Sequence, residues 1–318
     1  MSFVGGGTDL PVFYRRFGGA VVSTAINQFI YVTVNKKFDD RIRVSYSRTE
    51  EARSPERVRH PLVREGMKML GIRGGIEITS VADIPAKGTG LGSSSSFTVG
   101  LLHVLHAYAE RYASAEQLAQ EACEIELTRC AEPIGKQDQY AAAFGGLNFI
   151  QFNQDDSVVV EPIICKRQTI EQLQSHILTF YTGITRSASN ILQHQQRAVG
   201  SEKKKQAVMR QMADLARQLR HDLQQNRADA FGEIIHEGWA LKKSLSRGIT
   251  NDLIDDWYAK ARKAGAVGGK LLGAGAGGFL MFYAPPERHG AITQALGNLR
   301  RVDFRFEPQG SRIIFVHQ

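Results

Sequence analysis

Apolar and polar positions along this 318-residue chain follow two different periods. Residues 19–34, "GAVVSTAINQFIYVTV", are rich in β-branched and aromatic side chains and predict one or two strands. Residues 41–46, "RIRVSY", and 75–81, "GIEITSV", alternate as half-buried strands do. Between them, residues 48–60 are polar and charged and predict an exposed loop. From 97 to 112 the period lengthens, and Phe97, Leu101, Leu102, Leu105 and Tyr108 recur at helical spacing. A second helix is predicted over 115–130, with Leu118, Ala122 and Ile125 on one face. Residues 147–152 and 157–164 predict a hairpin that turns at 153–156.

Beyond Lys166 the pattern becomes mainly helical. A short strand at 177–182 precedes long helices at 187–226, 228–245 and 250–264. A strand in "GFLMFYA", a helix near 287–299 and strands at 302–307 and 312–316 complete the chain. Strands mixed with helices, without regular β-α-β repetition, predict an α+β fold in two domains. Their expected extents are 1–165 and 166–318.

Composition narrows the class of partner. The chain has no run of about 18 apolar residues, so no membrane partner or span is expected. Residues 1–7 lack the regions of a secretory signal. Cys123, Cys130 and Cys165 form no CxxC pair, which fits a reducing cytoplasm. A net charge of +8 and a pI near 9.4 favour anionic partners. The basic residues are dispersed, and Lys203, Lys204 and Lys205 sit in a polar helix as a solvated face. With no basic stripe interleaved with aromatics, a nucleic-acid-binding module is not expected.

Three glycine-rich sites carry candidate chemistry: 5–9, 88–96 and 273–278. The stretch "KGTGLGSSSSF" joins a strand directly to an apolar helix, so it is not a linker between independent units. No Lys-Ser/Thr follows its last glycine, which excludes a Walker A loop. Gly273, Gly275 and Gly278 satisfy GxGxxG, but a strand-like "FLMFY" follows where a dinucleotide fold needs a helix. What remains for 88–95 is a phosphate cradle. Gly88, Gly90 and Gly92 let backbone N–H groups approach an anion, with Leu91 between them. The helix starting near Ser94 aims its positive end there, and Ser93, Ser94 and Ser95 add hydroxyls that can donate or ligate Mg2+.

Phosphoryl transfer also needs a carboxylate on the metal and a group that orients or deprotonates the attacking hydroxyl. Glu124, Glu126, Glu132 and Asp138 are the carboxylates available downstream. Asp138 lies in a turn before an alanine-rich helix, where a helix cap is the alternative role. Lys136, two residues away, would favour its ionised form at close range.

The ordered set "GGGTDLP" (5–11), "GTGLGSSS" (88–95), "GKQD" (135–138) and "KLLGAGAGG" (270–278) resembles the GHMP kinases and spans nearly the whole chain. The wording of "GKQDQYAAAFGGLNFIQF" and "YTGITRSASNIL" is most similar to the branch acting on a heptose 7-phosphate, and L-fucokinase and related sugar 1-kinases share much of it. The resemblance implies an N-terminal domain like domain 2 of ribosomal protein S5 and a ferredoxin-like C-terminal domain. It implies ATP with Mg2+ and transfer of the γ-phosphoryl group to the anomeric hydroxyl of a sugar or sugar phosphate, by a monomer or homodimer. By position, Ser94 and Glu126 would hold the metal, with Glu124 a rival ligand. Asp138, with Lys136 nearby, would contact the attacking hydroxyl. Gly7, Thr8 and Asp9 would meet the sugar, while Gly275 and Ala276 would pass beside nucleotide phosphates and substrate. Arg186 would hold the distal phosphate of the sugar, a surface ion pair being the alternative. The relatives carry an arginine just ahead of their "GGGTD" run, with no counterpart in this sequence. A neutral-sugar kinase and a catalytically silent sugar sensor of the same fold are the competing expectations.

Overall fold

The computed structural model describes residues 1–84, 89–184 and 188–316, without the side chains of 188–190. The chain forms two compact units, each discontinuous in sequence. One comprises Met1–Asn27, a short stretch ending at Leu91, and Gly146–Pro308. The other runs from Gln28 into the mid-eighties, then Gly92–Gly145, then from Gln309 on. These units are therefore different objects from the two contiguous halves expected above.

The first unit holds two antiparallel sheets. One orders its strands Ser2–Val4, Gly19–Thr24, Leu147–Phe152, Val158–Pro162. All six residues of Gly19–Thr24 are buried, as befits a central strand. The second sheet orders Gly268–Leu271, Phe279–Tyr283, Ile177–Tyr181, Arg300–Arg301. Helix Lys203–Gln224 packs on the first sheet and helix Phe231–Leu245 on the second, against each other. Phe3, Val22, Phe149, Leu219, Phe231, Ile235 and Met281 join both sheets and both helices in one core. Each such side chain contributes roughly 1.5–3 kcal/mol of burial. Trp239, Tyr258, Phe180 and Phe282 belong to a second cluster of the same unit.

The second unit holds a mixed sheet ordered Ile30–Lys36, Ile76–Ala82, Ile42–Ser45, Thr49–Ala52, in which only the middle pair is parallel. Helices Pro61–Leu70 and Ser93–Tyr108 pack together over it. Ile42, Val44, Val63, Met67, Ile76, Ile78, Leu101 and Leu105 form its core.

Several elements differ from the sequence reading. Residues 48–60 are not all loop: Thr49–Ala52 is an edge strand, and Ala52, Pro55 and Val58 are buried. Glu51 is exposed at this edge, where charge is tolerated, and Glu50 accepts from the N–H groups of Arg59 and His60. The helix expected over 115–130 is α-helical only over Ala115–Cys123, then widens into a π-helical segment, Glu124–Arg129. The span 187–226 is two helices, Ala188–Ser201 and Lys203–Gln224, interrupted where Glu202 turns extended. The strand expected at 302–307 is reduced to a lone bridge between Phe306 and Ile26, because ladder pairing with Ile177–Tyr181 is made two residues earlier by Arg300–Arg301. Residues 312–316 join no sheet among the described residues, and Ile314 and Phe315 are exposed. No helix among the described residues is long and apolar enough to cross a membrane.

Candidate active site

The carboxylate part of the site is built entirely within the second unit. Gly92 caps helix Ser93–Tyr108 in the left-handed region, φ 72°, which admits glycine without strain. A Cβ at Gly92 would lie 3.0 Å from Cγ of Asp138, so the chain passes directly against that carboxylate. Ser94 is exposed on the first turn of the helix, and its hydroxyl donates to Oε1 of Glu126 at 2.7 Å. The amide of Gln139 donates to Oε2 at 2.7 Å.

Glu126 is fully buried, within the π-helical segment. The widened turn matters because it re-aims side chains relative to a regular helix. Burial pushes the Glu126 carboxyl above the usual carboxylate range; the hydroxyls of Ser94 and Ser95 and the Gln139 amide oppose this, and the charge of Asp138 reinforces it. Glu124 is exposed and pairs with Arg129 at 3.2 Å, which leaves Glu126 as the carboxylate beside the serine hydroxyls. Asp138 sits in the first turn of helix Gln137–Phe144, immediately after Lys136 and Gln137.

A hydroxyl oxygen and a buried carboxylate suit a hard divalent cation that takes its other oxygens from phosphate and water.

The glycine loops belong to the first unit. The hydroxyl of Thr8 donates to the carbonyl of Ala20 at 2.9 Å and accepts from its N–H at 3.0 Å. Thr8 thereby ties the 5–9 loop to the sheet. Asp9 is 2% exposed, and its Oδ1 accepts from the N–H of Gly7 at 2.8 Å, which fixes the carboxylate's orientation. Leu91 packs onto the apolar core of this unit. Across the 273–278 loop, the N–H of Ala276 donates to Ile249 O at 2.9 Å, and a Cβ at Gly275 would lie 2.8 Å from Ile249 Cα.

The structure thus brings Gly92, Ser94, Glu126 and Asp138 together, and separately anchors Gly7, Thr8, Asp9, Gly275 and Ala276. Gly88 and Arg186 lie outside the described residues. Three polar residues had no place in the sequence reading of the site: Gln139, Lys242 and Lys270. Gln139 is fully buried on Glu126, its Oε1 without a hydrogen-bond partner, but adjacency to Asp138 was its only sequence signal. Lys270 was visible as the first letter of "KLLGAGAGG", and Lys242 gave no signal.

A glycine-capped helix start with serine hydroxyls on its first turn, a buried carboxylate bonded to one of them, and an aspartate against the capping glycine form an arrangement suited to phosphoryl transfer. Comparison with known proteins gives the same class. Residues 59–146 match the GHMP kinases N terminal domain and residues 219–300 the GHMP kinases C terminal domain. The chain belongs to the GHMP kinase family. It is 29% identical to the D-glycero-alpha-D-manno-heptose 7-phosphate kinase of Campylobacter jejuni, over 98% of this chain and 95% of that one. Its fold is similar to the crystal structure of a D-glycero-D-manno-heptose 1-phosphate kinase from Bacteroides thetaiotaomicron, with TM-score 0.78 and 26% identity over 98% and 94% of the two chains. The fold is also shared with Lactococcus lactis galactokinase in complex with galactose, with TM-score 0.78 and 17% identity over 98% and 92%.

Proposed function

We propose that this protein is an ATP-dependent sugar 1-kinase that transfers the γ-phosphoryl group to the anomeric hydroxyl of D-glycero-D-manno-heptose 7-phosphate. The observation that carries the chemistry is the buried Glu126 carboxylate hydrogen-bonded to the Ser94 hydroxyl, with Asp138 against the Gly92 cap. The substrate class rests on the similarity to a heptose 7-phosphate kinase over nearly the full length of both chains.

In this reading the N–H groups of the 88–95 loop and the start of helix Ser93–Tyr108 receive the nucleotide phosphates. Ser94 and Glu126 hold Mg2+, which when bound neutralises charge on the phosphate oxygens. Asp138 contacts the attacking hydroxyl, holding it in line or accepting its proton; a loose transition state requires little proton removal early. Asp9, oriented through Gly7, accepts from sugar hydroxyls. Arg186 meets the distal phosphate, since guanidinium suits phosphate oxygens in a bidentate manner. A cytoplasmic location, where ATP and sugar phosphates are found, accompanies this proposal.

The test is ADP release with Mg-ATP across a panel of sugars with and without a 7-phosphate, with Asp138→Ala as control. Turnover confined to the phosphorylated heptose and lost in the variant is the expected result. Turnover with a neutral hexose alone keeps the kinase and removes the substrate. Sugar binding without turnover points instead to a silent sensor.

A further inference from the structure

Lys242 lies on helix Phe231–Leu245, in the first unit, and is only 7% exposed. Its ammonium donates to the carbonyl of Gly273 at 2.6 Å. Gly273 opens the 273–278 loop with φ 83°, and that loop is packed main chain to main chain against the start of the phosphate cradle. A Cβ at Gly273 would fall 2.4 Å from Cα of Gly90, and one at Gly90 would fall 2.4 Å from the carbonyl oxygen of Leu272. Gly278 is equally close to Thr89, whose carbonyl oxygen a Cβ there would approach to 2.3 Å. The two glycine runs therefore interlock without room for a side chain between them. A displacement of Gly273 would be passed directly to Gly90.

A second buried lysine has a related position. Lys270 is 5% exposed and donates to the carbonyls of Ser2 and Phe3 at 2.7 and 3.1 Å, anchoring the strand that leads into the Gly5–Asp9 loop. Lys242 and Lys270 line one small cavity together with Gly5, Gly6 and Trp239. Taking an ammonium out of water is costly, whereas a neutral amide could hold a carbonyl at less expense. Keeping a cation under a glycine loop adds what an amide cannot, a positive field acting on an anion bound there.

We infer that Lys242 is a positioning residue for the nucleotide: its ammonium fixes the Gly273 carbonyl and, through the Gly273–Gly90 contact, the backbone of the phosphate cradle. The inference rests on the kinase reading above, but it concerns the nucleotide and not the sugar. The role inferred for Lys242 is exerted through the main chain of two glycine loops.

The experiment measures Mg-ADP affinity by titration calorimetry, and separate KM values for Mg-ATP and for sugar, in wild type, Lys242→Met, Lys242→Arg and Lys243→Met. Lys243, whose ammonium pairs with Asp255 at 3.0 Å, is the control on the same helix. Loss of a charge-assisted hydrogen bond in Lys242→Met weakens Mg-ADP binding at least about tenfold. KM for Mg-ATP rises in parallel, KM for sugar stays within about twofold, and Lys243→Met matches wild type. Lys242→Arg retains charge and donors and recovers part of the affinity; it carries the test by itself if Lys242→Met does not fold. A lowered melting temperature with unchanged Mg-ADP affinity, or a rise in sugar KM alone, overturns the inference while leaving the kinase intact. A wild-type protein that binds no Mg-ADP overturns the kinase reading, and this inference with it.

Discussion

The hydroxyl of Ser94 donates a 2.7 Å hydrogen bond to Oε1 of Glu126, joining the first turn of one helix to a π-helical segment 32 residues further along the chain. In a kinase of this family a divalent cation would take the place of that shared proton. Glu126→Gln keeps the shape and removes the charge. The Mg2+ concentration giving half-maximal turnover should rise at least about tenfold, and kcat/KM should fall about a hundredfold or more. ADP release measured against Mg2+ concentration checks this; an unaltered Mg2+ dependence would remove Glu126 from the metal site.

Asp138 lies against the Gly92 cap, and its proposed work is on the attacking hydroxyl. Asp138→Asn should lower kcat by about 10²–10⁴ while Mg-ADP affinity stays near wild type. Steady-state kinetics with a parallel nucleotide titration separates the two effects. A loss confined to nucleotide affinity would make Asp138 a residue of the cradle.

Gly92 combines a φ of 72° with a predicted Cβ contact on the Asp138 carboxyl. The backbone cost of Gly92→Ala is about 1–2 kcal/mol. Because the new methyl pushes on Asp138, turnover should fall by more than that stability loss explains. Melting temperature and kcat measured on one preparation decide it, and proportionate losses would count against the contact.

Arg186 is proposed to read the distal phosphate. Arg186→Met should raise KM for the phosphorylated heptose about tenfold or more, with little change for a neutral sugar if one is turned over. Equal effects on both would return Arg186 to a structural ion pair.

His103 accepts or donates to Ser311 at 2.9 Å, and burial, aided by His106, holds its pKa below the ordinary value of 6.5. A folded-state pKa lowered below the unfolded one means that the fold prefers neutral imidazole. Its stability is complete above pH 6.5 and declines as pH falls from there toward the lowered value. Wild type should therefore lose melting temperature between pH 7.5 and 5.5 more steeply than His103→Gln, as thermal melts across that range would record; parallel slopes would exclude His103 as a source.

Much of the candidate site was legible because the residues proposed for phosphate chemistry lie in short local motifs. Gly92 followed by four serines marks a helix start that can face an anion, and the order of the four glycine and carboxylate motifs carried the family resemblance. Period-two alternation likewise gave Ile42–Ser45 and Ile76–Ala82, since each buries one face of its own sheet. Where the signal failed, the deciding interaction was distant. Thr49–Ala52 is a strand through its pairing with Ile42–Ser45, despite two consecutive glutamates, Glu50 and Glu51, at its centre. Residues 312–316 are rich in β-branched and aromatic side chains, as strands are, yet join no ladder among the described residues.

The sequence by itself determined many of the local conformations, the helix start at the serines and the candidate carboxylates, because propensity, periodicity and glycine's freedom at positive φ act over a few neighbouring residues. Only the tertiary structure distinguishes Glu126 from Glu124, burying one beneath Ser94 and Gln139 and pairing the other with Arg129. It alone brought Lys242 to Gly273, and Gly273 to Gly90. Hydrogen bonds and main-chain contacts between residues far apart in the chain depend on how whole helices and sheets pack, and no short stretch of sequence encodes that.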